Sequence, residues 1–130
     1  MVVPDATRRA LIEHARAEAP NEACGLVVLR AGVIERYIAG RNAATSPYRF
    51  ELSMDDPEVW FLEDEGYELG VFHSHLSSPP RPSRTDVENI GQWRGRPYVI
   101  LTVRTGELAA WRIGDAGIEQ LPVTNEGAAA

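Results

Sequence analysis

The amino-acid sequence predicts an α+β fold in which a mixed or antiparallel β-sheet is flanked by helices. Helical and extended patterns are interleaved along the chain, several strands follow one another as meanders, and turn signals separate them. The length of 130 residues suits a single domain with its own core. We place this domain at residues 1–124 and expect residues 125–130 to form a disordered tail.

The first half of the chain is predicted from its helix and turn signals. Asp5 is an expected N-cap and Pro20 a stop, which together predict a helix with a weak apolar face. Gly32 ends a short turn between two apolar runs and predicts a hairpin. The elements predicted in this half are a helix at 5–19, strands at 26–29, 33–38 and 48–52, and a helix at 57–63.

The second half begins with an apolar run that leads into a pair of histidines, which predicts a buried strand. The next residues, 77–82, contain three prolines and must form a loop, because proline cannot occupy a central strand. The elements predicted in this half are a strand at 69–75, a helix at 84–93, paired strands at 98–103 and 107–113, and an edge strand at 118–123.

The composition excludes several classes of function. Thirteen basic and 19 acidic residues give a net charge of −6, which argues against nonspecific binding to nucleic acid or to anionic membranes. The chain contains no apolar run long enough for a membrane span and no signal-peptide pattern, so we expect a cytoplasmic location. The single cysteine, Cys24, allows no internal disulfide and is expected to be buried as a small apolar residue.

The two histidines at the end of the predicted strand are candidate metal ligands. His73 and His75 are separated by one residue, so they project from the same face with Cα atoms about 6.6 Å apart. Two imidazoles at this spacing can bind one ion, although a histidine pair of this kind is more often two polar residues on one face. A catalytic zinc site needs a third, anionic ligand and an open fourth position.

Asp86 can supply the third ligand, because the proline-rich loop restricts the freedom of the segment before it. A second interpretation is equally available. Ser83 and Asp86 have the spacing of a capping box at the start of the predicted helix 84–93. The two interpretations are compatible, since a capped helix can present Asp86 to a metal.

A hydrolytic zinc site also needs a carboxylate that accepts a proton from water. Spacing alone does not choose among the acidic residues of the chain. Glu22 is a candidate by position, because it lies between the first helix and a buried strand. Taken alone, it is better explained as a surface turn residue.

Several apolar side chains allow more than one role. Trp60, Trp93 and Trp111 are expected in the core or at its edge. Phe50 and Leu76 can either line a groove for an extended peptide tail or pack in the core.

The motif residues resemble a known family. His73-Ser74-His75, seven further residues, Ser83, two residues and Asp86 reproduce the JAMM (MPN+) motif H-[ST]-H-x7-S-x2-D. Glu22, within Glu-Ala-Cys-Gly-Leu, resembles the separate glutamate of this family. The resemblance implies the MPN fold, which is cytidine-deaminase-like, with a curved mixed β-sheet flanked by helices.

The resemblance also implies a role for each motif residue. His73, His75 and Asp86 would bind one Zn²⁺ per chain, with water as the fourth ligand. Glu22 would act first as general base and then as general acid, Ser83 would donate a hydrogen bond to the oxyanion, and Ser74 would support the strand.

The short chain is most similar to the compact bacterial members, and among them to the Mec-type peptidases. This similarity implies a metallopeptidase or isopeptidase that acts after the C-terminal glycine of a ubiquitin-like protein, releasing cysteine from a sulfur-carrier–cysteine adduct. The expected partner is therefore the C-terminal tail of a ubiquitin-like or sulfur-carrier protein. Two alternatives remain open: a non-catalytic MPN scaffold module and a zinc amidase for small molecules.

Overall fold

The computed structural model describes residues 1–125 and confirms the α+β class. The helical segments are α1 (Asp5–Glu18), a first 3₁₀ helix (Pro57–Glu65), α2 (Arg84–Glu88) and a second 3₁₀ helix (Gly91–Trp93). The strands are β1 (Val2–Val3), β2 (Cys24–Arg30), β3 (Val33–Ala39), β4 (Arg41–Asn42), β5 (Leu52–Ser53), β6 (Glu68–His75), β7 (Pro97–Thr102), β8 (Leu108–Gly114), β9 (Gly117–Leu121) and β10 (Thr124–Asn125).

Most of the strands join one mixed sheet of eight strands, in the spatial order β10-β1-β3-β2-β6-β7-β8-β9. The strand β6 lies inside this sheet, antiparallel to β2 and parallel to β7. In this register His73 lies opposite Cys24 on β2 and opposite Ile100 on β7. Because β6 is hydrogen-bonded on both sides, the residues at its end project from a fixed backbone.

Both faces of the sheet are covered, which explains why β6 is an almost uninterrupted buried run. On one face, Phe72 belongs to a core cluster that includes Leu11 of α1. On the other face, Val71 belongs to a cluster that includes residues of both 3₁₀ helices. Alternation along β6 places His73 and His75 on the same face as Val71, so the pair lies at the edge of a packed apolar layer.

The hairpin and the C-terminal meander are confirmed. The turn between β2 and β3 has positive φ at Ala31 and Gly32, 51° and 81°, a conformation that suits a two-residue hairpin turn. The strands β7 and β8 pair antiparallel, and β9 lies at an edge of the sheet. Turn chemistry and alternation were therefore sufficient to place these elements.

Four predicted elements differ from the structure, and one of them, the helix predicted at 57–63, is the 3₁₀ helix Pro57–Glu65. Asp5 is not the N-cap of α1: the cap position is Pro4, with no side-chain cap hydrogen bond, and Asp5 is the first helical residue. The predicted strand at 48–52 is wrong except for Leu52 in β5. The predicted helix 84–93 ends at Glu88, because Gly91 has a φ of +49° and a separate 3₁₀ turn follows.

The sheet also contains short strands that the sequence did not predict. The strand β1 pairs in parallel with β10 and with β3, so the two ends of the described chain meet in one sheet. Asn125, expected at the start of the tail, lies in β10, whereas residues 126–130 of that tail lie outside the described residues. Within residues 1–125, no helix is long and apolar enough to cross a membrane.

Candidate active site

The two histidines of β6 form the centre of a buried polar cluster. His73 is fully buried and His75 is 5% exposed. Their ring centroids are 5.0 Å apart. The ring of Phe50 stacks on His73 with a centroid distance of 4.6 Å and an interplanar angle of 20°. Strand alternation therefore brings the imidazoles together as predicted, and an aromatic ring holds one of them in place.

The proline-rich loop after β6 is fastened to the sheet by hydrogen bonds to its backbone carbonyls. His75 Nδ1 lies 2.9 Å from the carbonyl oxygen of Pro79. The hydroxyl of Thr102 donates to the carbonyl oxygen of Ser78 at 2.6 Å, and Trp111 Nε1 donates to that of Pro80 at 2.9 Å. Since these bonds fix the loop, the helix that follows it starts at a defined distance from the histidines.

The start of α2 presents Asp86 to both imidazoles. The hydroxyl oxygen of Ser83 accepts from the Asp86 N–H at 3.0 Å, and Asp86 Oδ2 accepts from the Ser83 N–H at 2.9 Å. This is the predicted capping box. The same Oδ2 lies 3.1 Å from His75 Nε2 and 3.5 Å from His73 Nε2. The capping interpretation is confirmed. The capping box also orients the Asp86 carboxylate toward the two imidazoles, so it leaves the ligand interpretation open.

The hydrogen bonds around the cluster leave three atoms, His73 Nε2, His75 Nε2 and Asp86 Oδ2, arranged so that they could bind a cation. A carbonyl oxygen can only accept, so His75 donates from Nδ1 to Pro79, which leaves Nε2, the nitrogen with the lone pair in such a neutral ring, facing Asp86. His73 Nδ1 lies 3.0 Å from Glu22 Oε1, and His73 Nε2 is a buried nitrogen without a hydrogen-bond partner among the described residues. Tetrahedral zinc with bonds of about 2.0–2.2 Å would separate its donor atoms by roughly 3.3 Å, and the two Nε2–Oδ2 distances bracket this value.

The electrostatics of the cluster favour a positive charge at this point. Burial is the largest influence on His73 and opposes protonation, but the nearby carboxylates of Asp86 and Glu22 outweigh it and raise the pKa of His73 to about 9. Burial would likewise raise the pKa of Asp86, yet the adjoining imidazoles of His73 and His75 hold that pKa well below its usual range. The carboxylates therefore stabilise either a proton or a cation between the rings.

The fold brings Glu22 to the histidines from 51 residues away. The Ala23 N–H donates to Ser74 Oγ at 2.9 Å, and the Ser74 N–H donates to the Ala23 carbonyl at 3.1 Å. These two bonds fasten the segment before β2 to β6. Glu22 is 4% exposed and is therefore not the surface turn residue that its local sequence indicates.

Glu22, His73 and His75 form a second group of potential metal ligands, which shares both histidines with the first. One carboxylate oxygen of Glu22 and one ring nitrogen of each histidine lie within 4.8 Å of one another. Asp86 could also supply the third ligand, because its Oδ2 contacts the Nε2 atoms of both rings. Glu22 contacts Nδ1 of His73, on the other side of the ring from Asp86.

A cavity of about 360 Å³ opens beside the cluster, lined among others by Glu22, His75 and Ser83. Leu76, 42% exposed, and Tyr48, 79% exposed, line its outer part. Leu76 thus lies in a groove wall, in agreement with one of its two predicted roles. The loop that carries Tyr48 was missed by sequence reasoning, although Asn42 and the Thr-Ser-Pro run after it are turn signals.

The other singled-out residues lie outside the cluster. Cys24 is fully buried, and burial, followed by the nearby Glu22, raises the pKa of its thiol to about 12, which confirms it as a small core residue. Trp93 is buried in the apolar core on the Val71 side of the sheet, and Trp111 packs at the edge of that core. Trp60, 38% exposed, lies beside Trp93 at a centroid distance of 6.2 Å and therefore occupies the margin of that core.

Comparison with known proteins shows which family the chain resembles. A family model described as prokaryotic homologs of the JAB domain matches residues 4–114. The CysO-cysteine peptidase of Mycobacterium tuberculosis is 34% identical over 122 residues, which cover 88% of this chain and 83% of the relative. The desampylase of Pyrococcus furiosus is 30% identical over 122 residues, which cover 88% and 82%.

A solved structure shows the same fold. AF2198, a JAB1/MPN domain protein from Archaeoglobus fulgidus, superposes with a TM-score of 0.63 at 17% identity, covering 96% of this chain and 98% of that one. This similarity confirms the predicted MPN fold. The family model and the two relatives confirm the resemblance carried by the motif. The chain therefore belongs to the JAMM family, among the prokaryotic homologs of the JAB domain.

Proposed function

We propose that this chain is a zinc-dependent metallopeptidase that hydrolyses the bond after the C-terminal glycine of a ubiquitin-like protein. The observation that carries this proposal is the convergence of two imidazole nitrogens and one carboxylate oxygen beside a buried glutamate. The adjoining cavity gives a substrate access to that glutamate. A scaffold module would have no need of this full set of groups.

One zinc ion per chain would be held by His73 Nε2, His75 Nε2 and Asp86 Oδ2. Two nitrogens and one carboxylate are a ligand set of catalytic zinc sites, which keep one position open. When bound, the ion supplies a Lewis acid that lowers the pKa of a water molecule to about 7. The far nitrogen of each ring is held, His75 by the Pro79 carbonyl and His73 by Glu22, and these bonds fix the ring orientations.

Glu22 moves the proton in the proposed reaction. Its Oε1 is engaged by His73, and Oε2 is the proposed proton acceptor. Glu22 takes a proton from the attacking water as the water oxygen bonds to the glycine carbonyl carbon. It then gives this proton to the amine nitrogen as the C–N bond breaks. One water is consumed, and a carboxyl group and an amine are formed.

Ser83 can take part in this reaction without leaving its helix cap. Its hydroxyl oxygen accepts from the Asp86 N–H, and a hydroxyl that accepts still has its hydrogen to donate. Ser83 also lines the cavity. We therefore assign it the hydrogen bond to the oxyanion that develops on the glycine carbonyl oxygen.

Replacing Ser83 separates the capping role from the catalytic role. Ser83→Ala is expected to lower the free energy of unfolding by about 1 kcal/mol through loss of the cap. Turnover is expected to fall by roughly a hundredfold or more, because an oxyanion donor is removed. The melting temperature, zinc content and rate are measured on one sample. Ser77→Ala, in the same cavity wall but outside the cap, is the control. A lower melting temperature with unchanged turnover would leave Ser83 as a cap alone.

The proposed substrate is a sulfur-carrier protein that bears cysteine on its C-terminal glycine. The relative in Mycobacterium tuberculosis, a CysO-cysteine peptidase, supports this substrate, and the desampylase supports the wider class of peptidase. The product would be free cysteine together with the carrier ending in glycine. A cytoplasmic location and the lack of nucleic-acid and membrane partners stay predictions.

The test uses zinc-loaded protein and a sulfur-carrier protein ending in Gly-Cys. We expect the carrier to lose the mass of one cysteine residue, and free cysteine to appear in equal amount. An isopeptide conjugate of a ubiquitin-like protein and a small-molecule amide are offered in parallel. Cleavage of the small amide alone would favour the amidase alternative. The absence of turnover on every substrate, with zinc bound, would favour the scaffold alternative.

A further inference from the structure

Asn42, at the end of β4, is the hydrogen-bonding centre of the loop formed by residues 43–51. Its Oδ1 accepts from the N–H groups of Ala44 and Glu51, both at 3.0 Å. Its Nδ2 donates to the carbonyl oxygens of Arg49 and Glu22, also both at 3.0 Å. Each partner can only donate or only accept, so the amide orientation is fixed. One side chain therefore closes the loop and ties it to Glu22.

The loop holds the backbone of Glu22 on both sides of its Cα. The Glu22 N–H donates to the carbonyl oxygen of Ser46 at 2.9 Å, and the Glu22 carbonyl accepts from Asn42. Glu22 lies before β2 begins and has no place in a strand. Its position therefore depends on the loop on one side and on the Ala23–Ser74 bonds on the other.

The same loop reaches the cavity and the histidines. Pro47 and Tyr48 line the cavity together with His75, and Phe50 stacks on His73. A molecule in the cavity would thus contact the loop that fixes the glutamate. The same loop, residues 43–51, therefore both holds Glu22 and borders the cavity. The side chain of Asn42 holds the two ends of this loop together.

We propose that Asn42 is a positioning residue for Glu22, which it places at the metal site through loop 43–51. This inference rests on the proposed function, because it takes Glu22 as the group that moves the proton. A shift of about 1 Å in a catalytic group can lower a rate by about a hundredfold. Asn42 touches neither the metal ligands nor the proposed reacting atoms, so its effect on the rate is exerted through Glu22.

Two substitutions remove the link to Glu22 while breaking different numbers of the bonds that close the loop. Asn42→Asp keeps an acceptor for the Ala44 and Glu51 N–H groups but replaces the donor to the Glu22 and Arg49 carbonyls with a second acceptor. Asn42→Ala removes all of these bonds. Asn125→Ala is the matched control, because the side chain of that asparagine accepts a hydrogen bond from Arg8, far from the site.

Turnover of the sulfur-carrier–cysteine adduct is the first readout. In both Asn42 variants we expect kcat to fall by about 10- to 100-fold, KM to change less than kcat, and one zinc to remain bound. Asn125→Ala is expected to retain the wild-type kcat. An unchanged kcat in zinc-loaded Asn42→Asp, or a change in KM alone, would overturn the proposal. Failure of both variants to fold would also overturn it, since Asn42 would then be a structural residue.

Amide hydrogen exchange gives a second readout that does not depend on turnover. The Glu22 N–H bonds to Ser46 and not to Asn42, so it reports whether the loop holds Glu22. We expect its protection to fall by roughly tenfold in both variants while that of Ile100, in the central strand β7, stays unchanged. Unchanged protection at Glu22 would refute the proposal even if the wild type cleaves no adduct. Reduced protection with an inactive wild type would reject only the proposed function.

Discussion

Glu22→Gln is expected to remove nearly all hydrolytic activity while the protein keeps its fold and its zinc. The glutamine side chain has the shape of glutamate, and its Oε1 can still accept from His73 Nδ1, as Glu22 does at 3.0 Å. It cannot take a proton from water at neutral pH, and it cannot return one to the leaving amine. General acid–base catalysis contributes about 10²–10⁴-fold, and we expect the upper part of that range because one carboxylate serves both steps.

The measurement pairs the rate of cysteine release with zinc content and melting temperature. Glu88→Gln is the matched control, because Glu88 is an exposed carboxylate of α2 that pairs with Arg84 and lies outside the site. We expect this control to keep wild-type activity. A Glu22→Gln protein that retains more than about a tenth of the wild-type rate, against the 10²–10⁴-fold expected of a general base, would remove Glu22 from the proposed chemistry.

The strand and its histidines could be predicted because the pattern is local. Residues that are two positions apart on a strand project from the same face of the sheet, independently of the rest of the fold. The capping-box spacing of Ser83 and Asp86 is also local and is confirmed. The direction in which the Asp86 carboxylate points could not be predicted from a local pattern. It depends on Thr102 and Trp111, which lie on other strands and hydrogen-bond to the proline-rich loop.

The position of Glu22 could not be derived from its neighbours in sequence. It reaches His73 only because Ala23 and Ser74, 51 residues apart, bond to each other, and a contact of that span depends on the pairing of whole strands. The resemblance to a family selected Glu22 by analogy, whereas local reasoning favoured a surface turn. The structure places it in the interior, which supports the analogy.

The wrong strand at 48–52 has a clear physical cause. Tyr48 and Phe50 have the residue types of a strand, but the side chain of Asn42 satisfies backbone groups of this segment that a neighbouring strand would otherwise bond. Hydrogen bonds from asparagine side chains to the backbone compete with sheet pairing in this way. The prediction therefore failed in the segment that borders the site. In this segment the hydrogen bonds of Asn42 override the local preference of the residues for a strand.

Removing the proposed ligands is expected to remove the zinc together with the activity. We expect the wild type to bind one zinc per chain and a His73→Ala, His75→Ala double variant to bind none at the same metal concentration. Asp86→Asn tests the site without opening a cavity, since asparagine can still accept from the Ser83 N–H but carries no charge. It is expected to weaken binding and to lower turnover. Zinc content is measured by elemental analysis after removal of free metal.

Thermal unfolding with and without zinc supplies a measurement that is independent of turnover. A ligand that binds only the folded protein stabilises it by about 2.7 kcal/mol at a free concentration of 100 Kd, so zinc should raise the melting temperature of the wild type and not that of the double variant. His14→Ala is the control, because His14 is the one histidine of the chain besides His73 and His75 and contacts Tyr37 on the opposite face of the sheet. It should lose some stability and keep its zinc. A double variant that still binds one zinc per chain would show that the metal is held elsewhere, since the two imidazoles would then contribute nothing to its affinity.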